Sequence, residues 1–297
     1  MSALEWPYEG ARPLSPNGGR LAQAGSNVCL DLHGDPRAAR LVVFSDGNHH
    51  MALEEALQAF LAGHPPVSDI FYATTPPRVI AEALKAGSVR VGNLAIAVTP
   101  HVFISPAQVL DRLVADGHMR SHRPFARSRG SALLVRKGNP KGVHGIADLE
   151  RRDVRVFLSN PVTETVSYET YAETLRKVAA RERIRLDFLE SGSKSERVVH
   201  GESIHHREAP QCVADGKADV AVVFHHLALR YVRIFPDVFE MLPLGRGAGS
   251  DPDHVTNTVH IGLVGNGGEW GAPLVEFMLG PRVAEIYGMH GLFAVSS

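Results

Sequence analysis

Cysteine is almost absent from this chain: there are 2 in 297 residues, Cys29 and Cys212. They lie far apart and form no C-x-x-C, so the sequence carries no disulfide framework and no thiolate motif, and both are expected to be buried free thiols. Long apolar runs are missing too. The longest, such as Leu94–Val98 and Val220–Phe224, have five or so residues, whereas a membrane-spanning helix needs about 20. Neither charge is in excess, with 31 Lys+Arg against 32 Asp+Glu and a net charge of −1. Nucleic acids and anionic membranes select basic patches, so neither is expected as a partner, and membrane insertion is excluded. The N-terminal MSALEWPYEGARPLSPNGG holds acids, prolines and glycines where a signal peptide would hold an apolar stretch. The expected location is therefore the cytosol, or outside it for the processed form of an exported protein. No G-x-S-x-G elbow, H-E-x-x-H or Walker-type loop is present.

What the chain does have is histidine, 16 residues, several of them in adjacent pairs. It also has a repeated local order, in which a short β-branched run is followed by a turn and then by apolar residues at helical spacing. Residues 1–26 lack that order and read as a flexible N-terminal tail. Asn27–Leu32 and Arg40–Phe44 flank HGDP and are expected to pair as a hairpin. Strands are expected at Val67–Ala73, Leu94–Val98, His101–Ile104, Ala132–Arg136, Val154–Leu158, Arg185–Leu189, Val220–Phe224 and Thr258–Val264. Helices are expected at Met51–Leu61, after TTPP, at Pro106–Ala115, Val166–Ala180, His206–Asp215, His225–Ile234, Trp270–Leu279 and Pro281–His290. The basic stretch Arg120–Arg129 reads as a loop between elements. Strands alternating with helices imply an α/β fold with largely parallel sheets and helices on both faces.

Four segments resemble one family, in order. ALLVRKGNPKGVHGIADLERRDVRVFLSNP is similar to the stretch that opens the second lobe of type II periplasmic binding proteins, with the molybdate/tungstate-binding branch of extracellular solute-binding proteins nearest. HVFISPAQVLDRLVADG resembles that family's strand and helix after the first lobe's second helix. VADGKADVAVVFHHLAL resembles its G-x-A-D strand, and PLVEFMLGPRVAEIYGMHGLF its closing pair of helices. The resemblance covers about residues 38–294 and implies two Rossmann-like lobes joined by a two-strand hinge. Lobe 1 would comprise residues 27–131 plus 259–297, and lobe 2 residues 132–258. It also implies a ligand gripped between the lobes, where strands end and helix N-termini point their N–H groups, and hinge closure around it.

On that mapping Asn48, in FSDGNHH, takes the place of a hydroxyl that contacts the ligand, and Thr74 and Thr75 take the place of a second such contact. The bland alternative for Asp46, Asn48, Thr74 and Thr75 is helix capping. In LSNPVTETVSYETY the hydroxyls of Ser159, Thr163, Thr165 and Ser167 and the carboxylate of Glu164 are candidates, with Ser167 taken as the ligand contact. His206 and Phe224 complete the mapped pocket. Three pairs, His49/His50, His205/His206 and His225/His226, fall at strand–helix junctions. Imidazole is the commonest metal ligand, so these six are candidate ligands for zinc or another divalent metal. Successive helical residues diverge by about 100°, so one member of each pair at most should point inward. Protonated histidines and helix N-termini would instead hold an oxyanion such as molybdate or tungstate.

The expectation is a non-enzymatic, monomeric solute-binding protein for a small inorganic ion, with a membrane transporter as partner and no required cofactor. The alternatives are a metal-dependent enzyme and a cytosolic sensor module on the same fold.

Overall fold

The computed structural model describes residue 4 and residues 31–91, 93–190, 197–202, 205–249 and 251–295. The expected tail, residues 1–26, lies outside the described residues apart from Leu4. In chain order the elements begin with β1 (Asp31–His33), β2 (Leu41–Ser45), α1 (His50–Gly63), β3 (Ile70–Thr74), α2 (Pro77–Ala86), β4 (Ser88–Val91), β5 (Leu94–Ala97), β6 (Val102–Pro106), α3 (Ala107–Ala115) and β7 (Arg123–Ser128). They continue with β8 (Ser131–Arg136), β9 (Val156–Leu158), α4 (Thr165–Glu182), α5 (Asp187–Glu190), β10 (Val198–His200), α6 (His205–Ala214), β11 (Val220–Phe224), α7 (His225–Ile234) and β12 (Phe239–Pro243). The last are β13 (Thr258–Leu263), α8 (Gly271–Met278), α9 (Pro281–Met289) and β14 (Leu292–Ala294). Among the described residues no helix is long and apolar enough to cross a membrane.

The chain forms two compact units. One draws on Tyr8–Arg127 and Thr258–Ser297 and is called here the split unit; the other, the inserted unit, draws on Ser128–Asn257 with Met1–Pro7.

The split unit is built on a seven-stranded sheet in the order β1-β3-β2-β6-β13-β7-β14. Strands β3, β2 and β6 are mutually parallel, while β1, β13 and β7 run against their neighbours. Alternation along the parallel strands sorts their side chains onto two faces. Leu41, Val43, Ile70, Tyr72, Val102 and Ile104 pack in one cluster with residues of α1, α8 and α9. Val42, Phe44, Phe71, Ala73 and Phe103 pack in the other with residues of α2 and α3. Strands buried on both faces explain why these runs are apolar throughout.

The inserted unit has a five-stranded sheet, β10-β9-β11-β8-β12, with β10, β9 and β11 parallel and β8 and β12 antiparallel to their neighbours. Its core joins Leu133, Leu134, Phe157, Tyr171, Leu175, Val222 and Tyr231.

Four expectations fail. β1 pairs with β3 and not with β2, so the described residues form no hairpin across HGDP; residues 27–30 of that expected strand lie outside them. Arg185–Leu189 is not a strand: its end forms the short helix α5, with Leu186, Phe188 and Leu189 turned into the core. Arg123–Ser128 is a strand, not a loop, because Phe125, Ala126 and Ser128 are buried while Arg123 and Arg127 stay exposed. Both sheets are mixed, not largely parallel.

Candidate functional site

Parallel strands bring their carboxyl ends to one edge, and each of β2, β3 and β6 leads there into a helix. At the first junction Ser45-Asp46-Gly47-Asn48-His49 turns into α1. The Asn48 amide donates to Asp46 Oδ1 at 3.1 Å, and the Ser45 hydroxyl donates to the Asp46 carbonyl at 3.0 Å. The helix cap is His49, which makes no side-chain capping bond. The second junction is laced to the first by the Thr75 amide, which donates to the Ser45 carbonyl at 3.1 Å, and the third by the Asp46 amide, which donates to the Ile104 carbonyl at 3.2 Å.

The polar side chains at this edge fall into two groups. In the first, Thr74 Oγ1 lies 3.1 Å from His33 Nε2, and His49 Nδ1 lies 2.9 Å from the Tyr287 hydroxyl. His50 Nδ1 lies 2.8 Å from the Gly47 carbonyl. Burial holds the His49 and His50 imidazoles below their ordinary pKa and pushes the Asp46 carboxyl up. The second group has no partner: the hydroxyls of Thr75 and Ser105 are buried and make no hydrogen bond. Neither threonine caps α2, whose cap is Pro76.

The inserted unit repeats the pattern. At the carboxyl edge of β9 and β11, where antiparallel β8 begins, the hydroxyls of Ser159 and Ser131 are buried without a partner. A buried hydroxyl left without a hydrogen bond costs about 1–3 kcal/mol. Four of the buried polar groups left without a partner are thus hydroxyls at two strand edges.

The other candidates of this unit gather around α4, α6 and β11. Glu164, the N-cap of α4, accepts the His205 amide at 2.9 Å, and burial raises its carboxyl to about 7. His205 Nε2 donates to the Val222 carbonyl at 2.9 Å while the ring stacks on Phe157, and burial lowers its pKa to about 4. The His206 carbonyl accepts the Tyr231 hydroxyl. Phe224 is buried, with its ring 4.9 Å from Tyr171 and 5.5 Å from His226. Burial also lowers the pKa of His225. Ser167 lies in the first turn of α4 and is partly exposed.

One member of each histidine pair is buried, namely His49, His205 and His226, while His50, His206 and His225 are less so. Among the described residues no three His, Cys, Asp or Glu side chains form a group that could hold a metal. Ser105 and Ser131 were not among the sequence candidates. Ser105 stands in the FISP motif, and the strand–proline–helix junction was the available signal; Ser131 had none.

The family model described as bacterial extracellular solute-binding protein matches residues 41–293. A search of curated proteins finds no match. Among solved structures, the sulfate-binding protein SubI from Mycobacterium tuberculosis is 15% identical with a TM-score of 0.64, covering 86% of this chain and 87% of that one. The substrate-binding domain of a putative molybdenum ABC transporter from Clostridium difficile is 14% identical with a TM-score of 0.59, covering 86% and 99%. The tungstate-binding protein TupA from Desulfovibrio alaskensis is 11% identical with a TM-score of 0.57, again covering 86% and 99%. At such identities the likeness establishes the two-lobed α/β fold of periplasmic binding proteins and leaves the ligand to the site itself. With the family model spanning all but the ends of the described chain, this protein belongs to the bacterial extracellular solute-binding proteins.

Proposed function

We propose that the protein binds a small inorganic oxyanion, of the molybdate, tungstate or sulfate type, without catalysing a reaction. The observation that carries this reading is the set of four buried, unpartnered hydroxyls, Thr75 and Ser105 in the split unit and Ser131 and Ser159 in the inserted unit. Hydroxyls donate well to anion oxygens, and the adjacent helix N-termini of α1, α2 and α7 add N–H groups and a favourable dipole. Burial keeps the imidazoles of His49 and His205 neutral near pH 7. The anion would then be met by neutral O–H and N–H dipoles, not by imidazolium charge. The zinc alternative fits less well, because among the described residues the paired histidines gather in no group of three His, Cys, Asp or Glu side chains able to hold a metal. Closure of the hinge on the anion, and delivery of the loaded protein to a membrane transporter, belong to the same proposal.

Calorimetric titration of the purified protein with molybdate, tungstate, sulfate and Zn²⁺ tests it. One oxyanion should bind one-to-one, and Thr75→Ala and Ser159→Ala should each weaken it at least tenfold. If no oxyanion binds, or both variants bind as tightly as the parent, the reading fails.

A further inference from the structure

Three side chains of the split unit meet away from the six paired histidines. His122 precedes β7, His260 lies in β13 and Asp111 lies in α3. His122 Nδ1 and His260 Nδ1 are 2.9 Å apart, with the two rings tilted at 69°, and His122 Nε2 lies 3.0 Å from Asp111 Oδ1. The Asp111 carboxylate can only accept, so it fixes the proton of His122 on Nε2 and leaves Nδ1 to accept the Nδ1–H of His260. Both imidazoles are partly buried, which leaves an ion a way in.

The backbone is shaped to make this meeting. The β13–β7 register shifts between Val259 and His260, and a bulge of this kind re-aims the next side chain. Two residues on, Gly262 lets the 119–122 segment lie against β13. A Cβ there would stand 2.6 Å from the Ser121 carbonyl oxygen and 3.2 Å from the His122 Cβ.

We infer that His122 and His260 form a two-imidazole site for a divalent transition metal ion, with Asp111 as the carboxylate that orients His122. When His260 takes the Nε2–H tautomer, its Nδ1 lone pair joins that of His122, and both point at the space between the rings. Ligand nitrogens around a metal of this kind sit about 2.0–2.1 Å from the ion, so the rings need to part by only a few tenths of an ångström. Water would complete the shell. Neutral imidazole suits copper, nickel and zinc, with copper bound most tightly. A carboxylate behind a ligating histidine typically contributes about 10–100-fold in affinity.

The test uses Cu²⁺ and Zn²⁺ alone, with no oxyanion present. Its outcome is therefore separate from that of the solute-binding proposal. Cu²⁺ should give an electron paramagnetic resonance signal with coupling to two nitrogens. His260→Gln and His122→Gln should abolish that coupling and weaken Cu²⁺ binding at least tenfold, and Asp111→Ala should weaken it about 10–100-fold. Urea midpoints without metal separate loss of a ligand from loss of the fold. The inference is overturned if the parent shows no two-nitrogen signal, or if normally folded His122→Gln and His260→Gln bind Cu²⁺ as the parent does.

Discussion

The unpartnered hydroxyls make opposite demands on folding and on binding, and Thr75→Val measures both. Valine has the shape of threonine and suits the extended backbone before Pro76. The substitution removes a hydroxyl that is buried, with the residue 2% exposed, and that has no hydrogen-bond partner, while the Thr75 amide keeps its bond to the Ser45 carbonyl. Without ligand the variant should therefore be more stable, by about 1–2 kcal/mol, since the desolvation cost of the hydroxyl disappears and little cavity replaces it. That corresponds to a rise of about 2–8 °C in the melting temperature. With ligand the same hydroxyl donates to a charged oxygen, a bond worth about 1.5–3 kcal/mol, so affinity should fall about 10–150-fold. Thermal melts of the ligand-free protein and calorimetry with the bound oxyanion read the two effects separately. A variant that melts lower while binding with undiminished affinity would refute the reasoning, because the hydroxyl would then be a structural group with a partner of its own.

Two further outcomes follow from buried carboxyl groups. Glu164 has its pKa raised from 4.5 to about 7, chiefly by burial. The folded state therefore favours its protonated form, and the stability this gives is complete below about 4.5 and lost as the pH rises through 7. Glu164→Gln should flatten that part of a urea-midpoint profile taken from pH 4 to 8; an unchanged profile would count against it. Asp251 is the opposite case. Burial alone would raise its pKa, but hydrogen bonds from Arg181 and from the amides of Arg246 and Asp253 outweigh that and hold the carboxyl well below the usual range. Its contribution is present above the ordinary carboxylate range and is lost in strong acid. Asp251→Ala leaves the amides of Arg246 and Asp253 without this acceptor, while Arg181 keeps Asp253 and Glu182, and should destabilise the inserted unit by about 2–3 kcal/mol, seen in urea denaturation at pH 7.

Much of the fold could be read from the sequence because its central strands are apolar on both faces. Leu41–Ser45, Ile70–Thr74 and Val220–Phe224 are fully buried, and each is followed by a helix with a clear apolar stripe. The elements that were misread lie where that signal weakens. β7 mixes exposed arginines with buried Phe125 and Ala126, so its charge hid its pattern. In IRLDF the alternation expected of a strand served instead to seat Leu186, Phe188 and Leu189 around a helical turn. The candidate site divides the same way. Its strand–helix junctions were visible through turn residues and prolines. The side chains that lack partners were not, because satisfaction of a hydroxyl depends on neighbours distant in sequence. Ser45 finds the Asp46 carbonyl, whereas Ser105 and Ser131 find nothing. The same holds for His122 and His260, which are 138 positions apart. Pairs adjacent in sequence drew attention to histidines that helical geometry keeps apart.

The chain leaves the split unit after Arg127 and returns at Thr258, and these two residues are partners in the β7–β13 ladder. On the other side of that junction the Ser128 amide donates to the Asn257 carbonyl, and the Asn257 amide donates back to the Ser128 hydroxyl, each at 2.9 Å. The 128–257 segment of the inserted unit thus begins and ends at neighbouring points, and this bears on the order of assembly during synthesis. The split unit cannot finish its sheet until β13 and β14 have emerged. By then the whole 128–257 segment of the inserted unit has been made and can have folded. Its closed ends then reduce a long loop to a short one and lower the entropy lost in joining β7 to β13. A chain released from the ribosome before residue 258 would hold one unit able to complete itself and one with its central partner strand missing.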